Sequence, residues 1–462
     1  MSTPAPSSDS QQTSAQDAPV EWFRASTQYI NTHRGKTFVV LMSGDALASD
    51  SLNNLVSDLN LLHSLGVKLV LVHGARPQID TALESALESA QLRCELVDGL
   101  RVSPPEAIPA ISAAVGAQSI RLEALLSAGS NTGTRAPLTS NRAGALSLSR
   151  GNFITAMPIG VRGGVDFQHT GRVRRVDAEQ IQKRLDDGAL VLQSTLGYSL
   201  TGEIFNLSAE EVASQIAVAV NADKLIALVP EEGVVDASGA LLAALSPSDA
   251  ATLAKQLSRS AAQDQQQLGR TIDACVAANH GGVKRSHLIG YQSNGALIRE
   301  LFTREGAGTL ISDDGLDSLR EASIDDVAAI LALIRPLEAD GTLVQRSRER
   351  LETEIENFKV IELEGAIIAC AALYRTSEEL GEIACIAIHP SYRKLGLGAR
   401  LLTALSNEAK AVGMSQTFVL TTTAAHWFTD HGYKEGALSD LPEKRQALYN
   451  LQRKSKILLR AV

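Results

Sequence analysis

Along the last third of the chain the apolar positions change period several times, and each change marks an element. Val327, Ile330, Leu331 and Ile334 recur at helical spacing after Ser323-Ile324-Asp325-Asp326, where Ser and Asp three residues apart have the spacing of a capping box. Phe358 to Glu362 and Ala366 to Tyr374 predict two strands joined by a Glu-Gly turn, and Glu382 to His389 predicts a third, apolar enough to be central. The short loop Arg393-Lys394-Leu395-Gly396-Leu397-Gly398 then opens the helix-like run Ala399 to Val412. Thr417 to Thr422 predicts a further strand, and Ala425-His426-Trp427-Phe428 a short helix.

The first two thirds alternate differently. Glu21 to His33 carries Trp22, Phe23, Tyr29 and Ile30 at near-helical spacing, and Gly35 breaks the pattern before the strand Thr37 to Met42. A helix over Ser51 to Leu65 and a buried strand over Val67 to Val72 follow. Two strand–helix units in a row imply a parallel sheet with helices on its faces. Later strands fall at Ala189 to Gln193, Leu225 to Val229 and Gly308 to Ile311, with a helix over Ala209 to Val220. The chain thus divides into a tail (1–20), a helix (21–34), a larger α/β domain (35–312), a linker (313–318) and an α+β domain (319–462).

Composition narrows the class. A chain of 462 residues exceeds what one core usually serves, and 44% hydrophobic with 21% charged residues is ordinary for a soluble protein. A net charge of −9 argues against nucleic acid as a partner, and no apolar run approaches the roughly 18 residues that span a bilayer. Cys94, Cys275, Cys370 and Cys385 stand apart without a C-x-x-C pair, so no metal site or disulfide framework is expected. The tail has no Arg or Lys and no apolar core, which excludes the usual export signals and predicts a cytoplasmic protein.

Strand, R-x-x-G-x-G loop and helix N-terminus together make a nest of backbone N–H groups in which glycines let a pyrophosphate approach closely. In this order of elements, residues 318–462 resemble the GNAT acetyltransferases. The resemblance implies that Ile386, Ile388, Arg393, Lys394, Leu395, Gly396, Leu397 and Gly398 hold acetyl-CoA. A protonated amine needs a base before it can attack a thioester, and Glu382 at the start of the central strand is placed to serve. A strand-edge charge facing solvent is the plain alternative. The opening beyond Ala384 and Cys385 would offer a backbone N–H, from Ile386, to the thioester oxygen. Many GNAT enzymes carry a tyrosine after the Phe of the last helix to protonate the thiolate. Here Thr429 follows Phe428, and the resemblance implies Thr421 as the substitute general acid.

Residues 35–312 resemble the amino acid kinase family through Val67 to Gln78, Asn206-Leu207-Ser208-Ala209-Glu210 and Ala222 to Ile226. Phosphoryl transfer needs cations at the reacting centre. The family's Lys-x-Gly-Gly reads Leu41-Met42-Ser43-Gly44 here, and its later Thr-Asp reads Val229-Pro230, so a kinase fold without kinase activity is expected. His287-Leu288-Ile289 and Asn294 to Thr309 resemble the arginine-site signature of arginine-inhibited acetylglutamate kinases and synthases. That signature implies that His287, Glu300 and Gly306 contact L-arginine and that Tyr29 closes the site.

Both halves together resemble the bacterial, arginine-sensitive N-acetylglutamate synthase family. The resemblance implies acetyl transfer from acetyl-CoA to the α-amino group of L-glutamate, feedback inhibition by arginine, no metal, and a homohexamer interlaced by the N-terminal helix. Glutamate's two carboxylates call for two cations, which the family match places at Arg346 and Arg453, with Val344 and Cys385 beside the substrate. Arg348 and Lys454 could exchange roles with these arginines. An acetyltransferase for another amine, regulated by an amino-acid-sensing first domain, is the alternative.

Overall fold

The computed structural model describes residues 19–20, 22–24, 26–27, 29–88, 94–128, 146–236, 238–303, 306–313, 317–363, 366–392, 396–447, 449 and 455–462. Two compact units divide the chain, Met1–Gly315 and Leu316–Val462.

The first unit is built on an eight-stranded sheet. Its centre is formed by β1 (Thr37–Met42), β2 (Lys68–His73), β3 (Leu190–Gln193), β4 (Lys224–Val229), β5 (Arg285–Gly290) and β6 (Gly308–Ile311), in the spatial order β6-β5-β4-β1-β2-β3. Neighbours pair in parallel except β5 and β6, which are antiparallel. Because side chains alternate along a strand, β1 feeds both faces. Phe38, Val40 and Met42 join the cluster containing Leu55 and Leu59 of α1 (Leu52–Ser64), whereas Val39 and Leu41 join the one containing Val212 and Ile216 of α2 (Ala209–Ala219). Burial on both faces explains why these strands are apolar runs without alternation.

Chain turns at the C-terminal ends of β1 and β2 meet closely. A Cβ on Gly44 would lie 2.6 Å from Pro77 Cδ and 2.7 Å from the Arg76 backbone nitrogen, so only glycine fits there. The sequence pattern gave no sign of a second, four-stranded sheet, Ile154–Pro158, Gly171–Val176, Leu196–Tyr198 and Ile204–Asn206. Its strands are short and half exposed, so their periodicity is weak.

Helical residues 29–33 precede β1, as do the helical residues described between 19 and 27. This segment docks on α3 (Ala296–Phe302): Ser26 Oγ donates to Phe302 O at 3.2 Å, and a His33 ring nitrogen lies 2.9 Å from Leu301 O. Tyr29 is buried there, while Trp22 and Phe23 remain exposed.

The second unit holds one seven-stranded sheet. In order it contains β7 (Asp317–Glu321), β8 (Phe358–Leu363), β9 (Ala366–Arg375), β10 (Leu380–Ile388), β11 (Gln416–Thr421), β12 (Lys456–Ala461) and the short edge Lys434–Glu435. Asp317 and Ser318, assigned to the linker from sequence, pair with Leu363 and Glu362 and so belong to the sheet. One face is covered by α4 (Val327–Ala339), and the other by α5 (Leu397–Ala411). The capping box expected at Ser323 is present, with the Ser323 N–H donating to Asp326 Oδ2 at 2.7 Å.

Candidate active site and effector cluster

The site in the second unit begins with an extra residue in β10. Cys370 pairs with Ala387 and Ala372 with Ala384, so one residue of β9, Ala371, faces two of β10, Cys385 and Ile386. That is a β-bulge, and Cys385 takes the left-handed conformation it requires, with φ at 56°. Two consequences follow. Ile383 faces the α5 layer, but Cys385, two residues on, faces the α4 layer, which leaves Ile386 and Ile388 packed toward α5. β10 and β11 pair only over Leu380–Glu382, and the recorded pairing ends at Glu382 and Phe418.

Two contiguous cavities open at this splay. The first, about 330 Å³, is lined by Ile386, Ile388, Gly398, Thr421, Trp427 and Phe428. The second, about 520 Å³, is lined by Val344, Arg346, Tyr374, Glu382, Cys385 and Arg445. Leu343, Ile383, Ala384 and Cys385 border both.

The first cavity is walled mostly by apolar side chains. Gly396 caps α5 with φ at 70°, and a Cβ on Gly398 would press on Trp427 Cζ2 at 3.1 Å and Ile388 Cδ1 at 3.2 Å, so glycine keeps the cleft floor open. Leu397 is buried in the first turn of α5. Arg393, Lys394 and Leu395, expected in the same loop, lie outside the described residues. Thr421 ends β11, and its Oγ1 accepts from the Ala424 N–H at 3.0 Å, which leaves its own proton to be directed elsewhere.

In the second cavity Arg346 donates from Nη1 to Val344 O at 3.1 Å, while its Nε is buried without a partner. A buried guanidinium N–H left unpaired costs stability and so points to a ligand. The Cys385 thiol is held below its ordinary value by a hydrogen bond with Cys370 and by the nearby Arg346 charge, against the effect of burial. Cys370 is raised well above its ordinary value by the same hydrogen bond and by burial. These two cysteines, treated as separate in sequence, are therefore neighbours across β9 and β10.

Glu382 is not the solvent-facing strand-edge charge of the plain alternative: its side chain is 12% exposed. Arg445 grips it in a fork, with Nε 2.7 Å from Oε2 and Nη2 2.8 Å from Oε1. Sequence reasoning missed Arg445, which lies on the short helix Glu443–Ala447 and is 63 positions from its partner; no local spacing signals it. Arg453 lies outside the described residues. Arg348, offered as an exchange for Arg346, is instead exposed and paired with Glu352 at 2.7 Å.

In the first unit, the expected effector residues come together. His287 on β5 and Glu300 on α3 meet at 2.7 Å, Nδ1 to Oε1. Lys224 Nζ stands 3.2 Å from His287 Nε2, and since an ammonium only donates, the imidazole proton sits on Nδ1 facing Glu300. The Ala307 N–H donates to Glu300 Oε2 at 2.6 Å. Burial by itself would raise the Glu300 carboxyl, but the His287 hydrogen bond, the Ala307 N–H and the Lys224 charge bring it below its ordinary value. Gly306 has φ at 66°, and a Cβ there would come within 2.8 Å of Glu300 Oε2. Tyr29 packs in the same hydrophobic cluster as Leu297 and Leu301 of α3.

A third cavity lies at the C-terminal ends of β1 and β2, lined by Gly44, Gly74, Arg76, Arg101, Glu210 and Arg270 among others. No lysine is among its described lining residues.

Comparison with known proteins places this architecture. Residues 36–290 match the amino acid kinase family, and residues 354–435 match the acetyltransferase (GNAT) domain. An amino-acid acetyltransferase of Pseudomonas putida (strain GB-1) is 47% identical over 444 residues, 96% of this chain and 99% of the relative. One from Aeromonas salmonicida (strain A449) is 46% identical over 95% of this chain and 97% of the relative. A crystal structure of N-acetylglutamate synthase from Neisseria gonorrhoeae, complexed with coenzyme A and L-arginine, is 36% identical with a TM-score of 0.81, covering 96% of this chain and 99% of its own. A second structure of that synthase, complexed with coenzyme A and N-acetyl-glutamate, aligns with a TM-score of 0.58. Fold and cleft define an acyltransferase that uses acetyl-CoA, joined to an amino-acid-kinase-like unit. The chain belongs to the amino-acid acetyltransferase family, that of the N-acetylglutamate synthases.

Proposed function

We propose that this enzyme transfers acetyl from acetyl-CoA to the α-amino group of L-glutamate, giving N-acetylglutamate and CoA, and that L-arginine inhibits it as the first step of arginine biosynthesis. The observation that carries the reading is the guanidinium-bearing Arg346, together with Glu382, on the wall of a cavity continuous with the cleft at the β10–β11 splay. A carboxylate ligand pairs with that arginine and places an amine beside Glu382.

In this reading the pantetheine arm runs along Ile386 and Ile388, with the pyrophosphate at Arg393, Lys394, Leu395, Gly396, Leu397 and Gly398. The Ile386 N–H, on the bulged stretch of β10, polarises the thioester oxygen. Glu382 takes the proton from the α-ammonium group, directly or through water. The amine forms its bond to the acetyl carbon, the C–S bond breaks, and Thr421 supplies a proton to the departing thiolate. Arg346 and Arg453 hold the substrate by charge, with Val344 and Cys385 shaping the pocket. Cys385 is a contact and not a nucleophile, since direct attack by the amine suffices.

The first unit is then a sensor without kinase activity, supported by Leu41 and Val229-Pro230 where the kinase family carries Lys and Thr-Asp. Arginine binds at His287, Glu300 and Gly306, with Tyr29 over it; a guanidinium fork replaces the His287 and Ala307 contacts to Glu300. Exposed Trp22 and Phe23 on the N-terminal segment favour the homohexamer, and the protein works in the cytoplasm.

The test is an initial-rate assay of CoA release with glutamate and acetyl-CoA, with and without arginine, and product identification by mass. Glutamate-dependent CoA release that arginine suppresses supports the reading. CoA release with other amines but not with glutamate overturns it in favour of a different acceptor.

A further inference from the structure

Glu382 and Arg445 face the same cavity as Arg346, and their fork occupies both carboxylate oxygens. A base held this way meets an incoming ammonium group with a guanidinium beside it. The helix that carries Arg445, Glu443–Ala447, has no buried residue, so its backbone is not locked into the core. An α-amino acid has a matching pattern of charge. Its ammonium and α-carboxylate are joined through one carbon, and they complement an adjacent carboxylate and guanidinium in reverse order: ammonium against Glu382, carboxylate against Arg445. Exchanging one carboxylate for another at the guanidinium keeps a charge-assisted fork in place throughout. An amine without an α-carboxylate offers nothing in exchange.

We propose that Arg445 is a positioning and specificity residue that clasps Glu382 in the empty enzyme and passes to the α-carboxylate of the bound amino acid, uncovering the base only for an α-amino acid. The inference rests on the reading of Glu382 as the base. Arg346, which lines the same cavity, is left with Arg453 for the side-chain carboxylate.

The experiment uses the full-length enzyme with acetyl-CoA and three acceptors: glutamate, its α-amide and its side-chain amide, glutamine. Wild type should prefer glutamate over the α-amide by at least about 100-fold in kcat/KM, as expected for losing a charged hydrogen-bonded pair. R445Q should raise KM for glutamate about 30-fold with kcat within about threefold, and should collapse the preference over the α-amide to about threefold while keeping that over glutamine. R445K should fall between the two. Wild-type turnover of the α-amide equal to that of glutamate overturns the proposal. So does an R445Q that loses kcat with KM unchanged, or that loses all three substrates in the same proportion. If R445Q no longer holds acetyl-CoA, the ratio of the two amide preferences in R445K decides by the same criterion. E382Q is assayed alongside. If it turns over glutamate at the wild-type rate, the base assignment fails, while the amide ratios still report separately whether Arg445 selects the α-carboxylate.

Discussion

In the proposed mechanism Glu382 accepts the proton and Arg346 holds a carboxylate, so their substitutions should separate in the kinetics. Glu382→Gln removes proton acceptance while keeping the shape of the side chain, so kcat should fall about 10²–10⁴-fold with acetyl-CoA affinity unchanged, read by steady-state rates and calorimetry. Unchanged kcat removes Glu382 from the mechanism. Arg346→Ala deletes a cation whose Nε has no partner in the protein, so KM for glutamate should rise about 10–100-fold while KM for acetyl-CoA stays put. Both residues were singled out from the sequence, Glu382 because it opens an apolar strand and Arg346 because it matches a family position, and both line one cavity. Arg445 was not legible: its role comes from a contact between residues far apart in sequence, which periodicity cannot register. The Cys370–Cys385 contact escaped for a related reason. It depends on the bulge, and one inserted residue decides which face of the sheet Cys385 joins.

At the scale of elements, the long apolar strands and their following helices were readable because burial imposes period and composition together. β1, β2, β4 and β10 fall within two or three residues of the expected runs. What was not readable was short or atypical. The 21-residue helix Ile108–Ala128 is mixed in composition, with Ala, Ser and Gly diluting its apolar stripe, and the small four-stranded sheet consists of strands of three to six residues. The loop-to-helix junction at α5 allows a direct test. Gly398→Val would place a branched side chain against Trp427 and Ile388, narrowing the cleft, and should weaken acetyl-CoA binding about tenfold by calorimetry with thermal stability lowered by about 1–3 kcal/mol. Full affinity in that variant would mean the cofactor does not pass this floor. The N-terminal segment gives another. Ser26, Tyr29 and His33 anchor it to α3, the element carrying Glu300, so deleting residues 1–34 should both reduce the assembly size in sedimentation and blunt the arginine response. A truncated protein of unchanged size and sensitivity would break the link between helix and effector site.

For the whole molecule, two chemistries are proposed on one chain: a cleft where a thioester meets an amine, and a buried His287–Glu300–Lys224 cluster as the arginine site. Glu300→Gln keeps the shape but removes the charge that arginine would pair with. The arginine concentration for half-inhibition should therefore rise about tenfold or more, measured by titrating initial rates. An unshifted curve would move the effector elsewhere. The claim on which everything else depends is that glutamate nitrogen receives the acetyl group at the β10–β11 splay. Its most direct measurement is carbon NMR of the reaction of ¹⁵N-glutamate with acetyl-CoA labelled with ¹³C at the carbonyl. The account predicts a new amide carbonyl signal split by one-bond coupling to nitrogen, growing as CoA is released. Label that appears only in free acetate, or in an amide without that splitting, would contradict it.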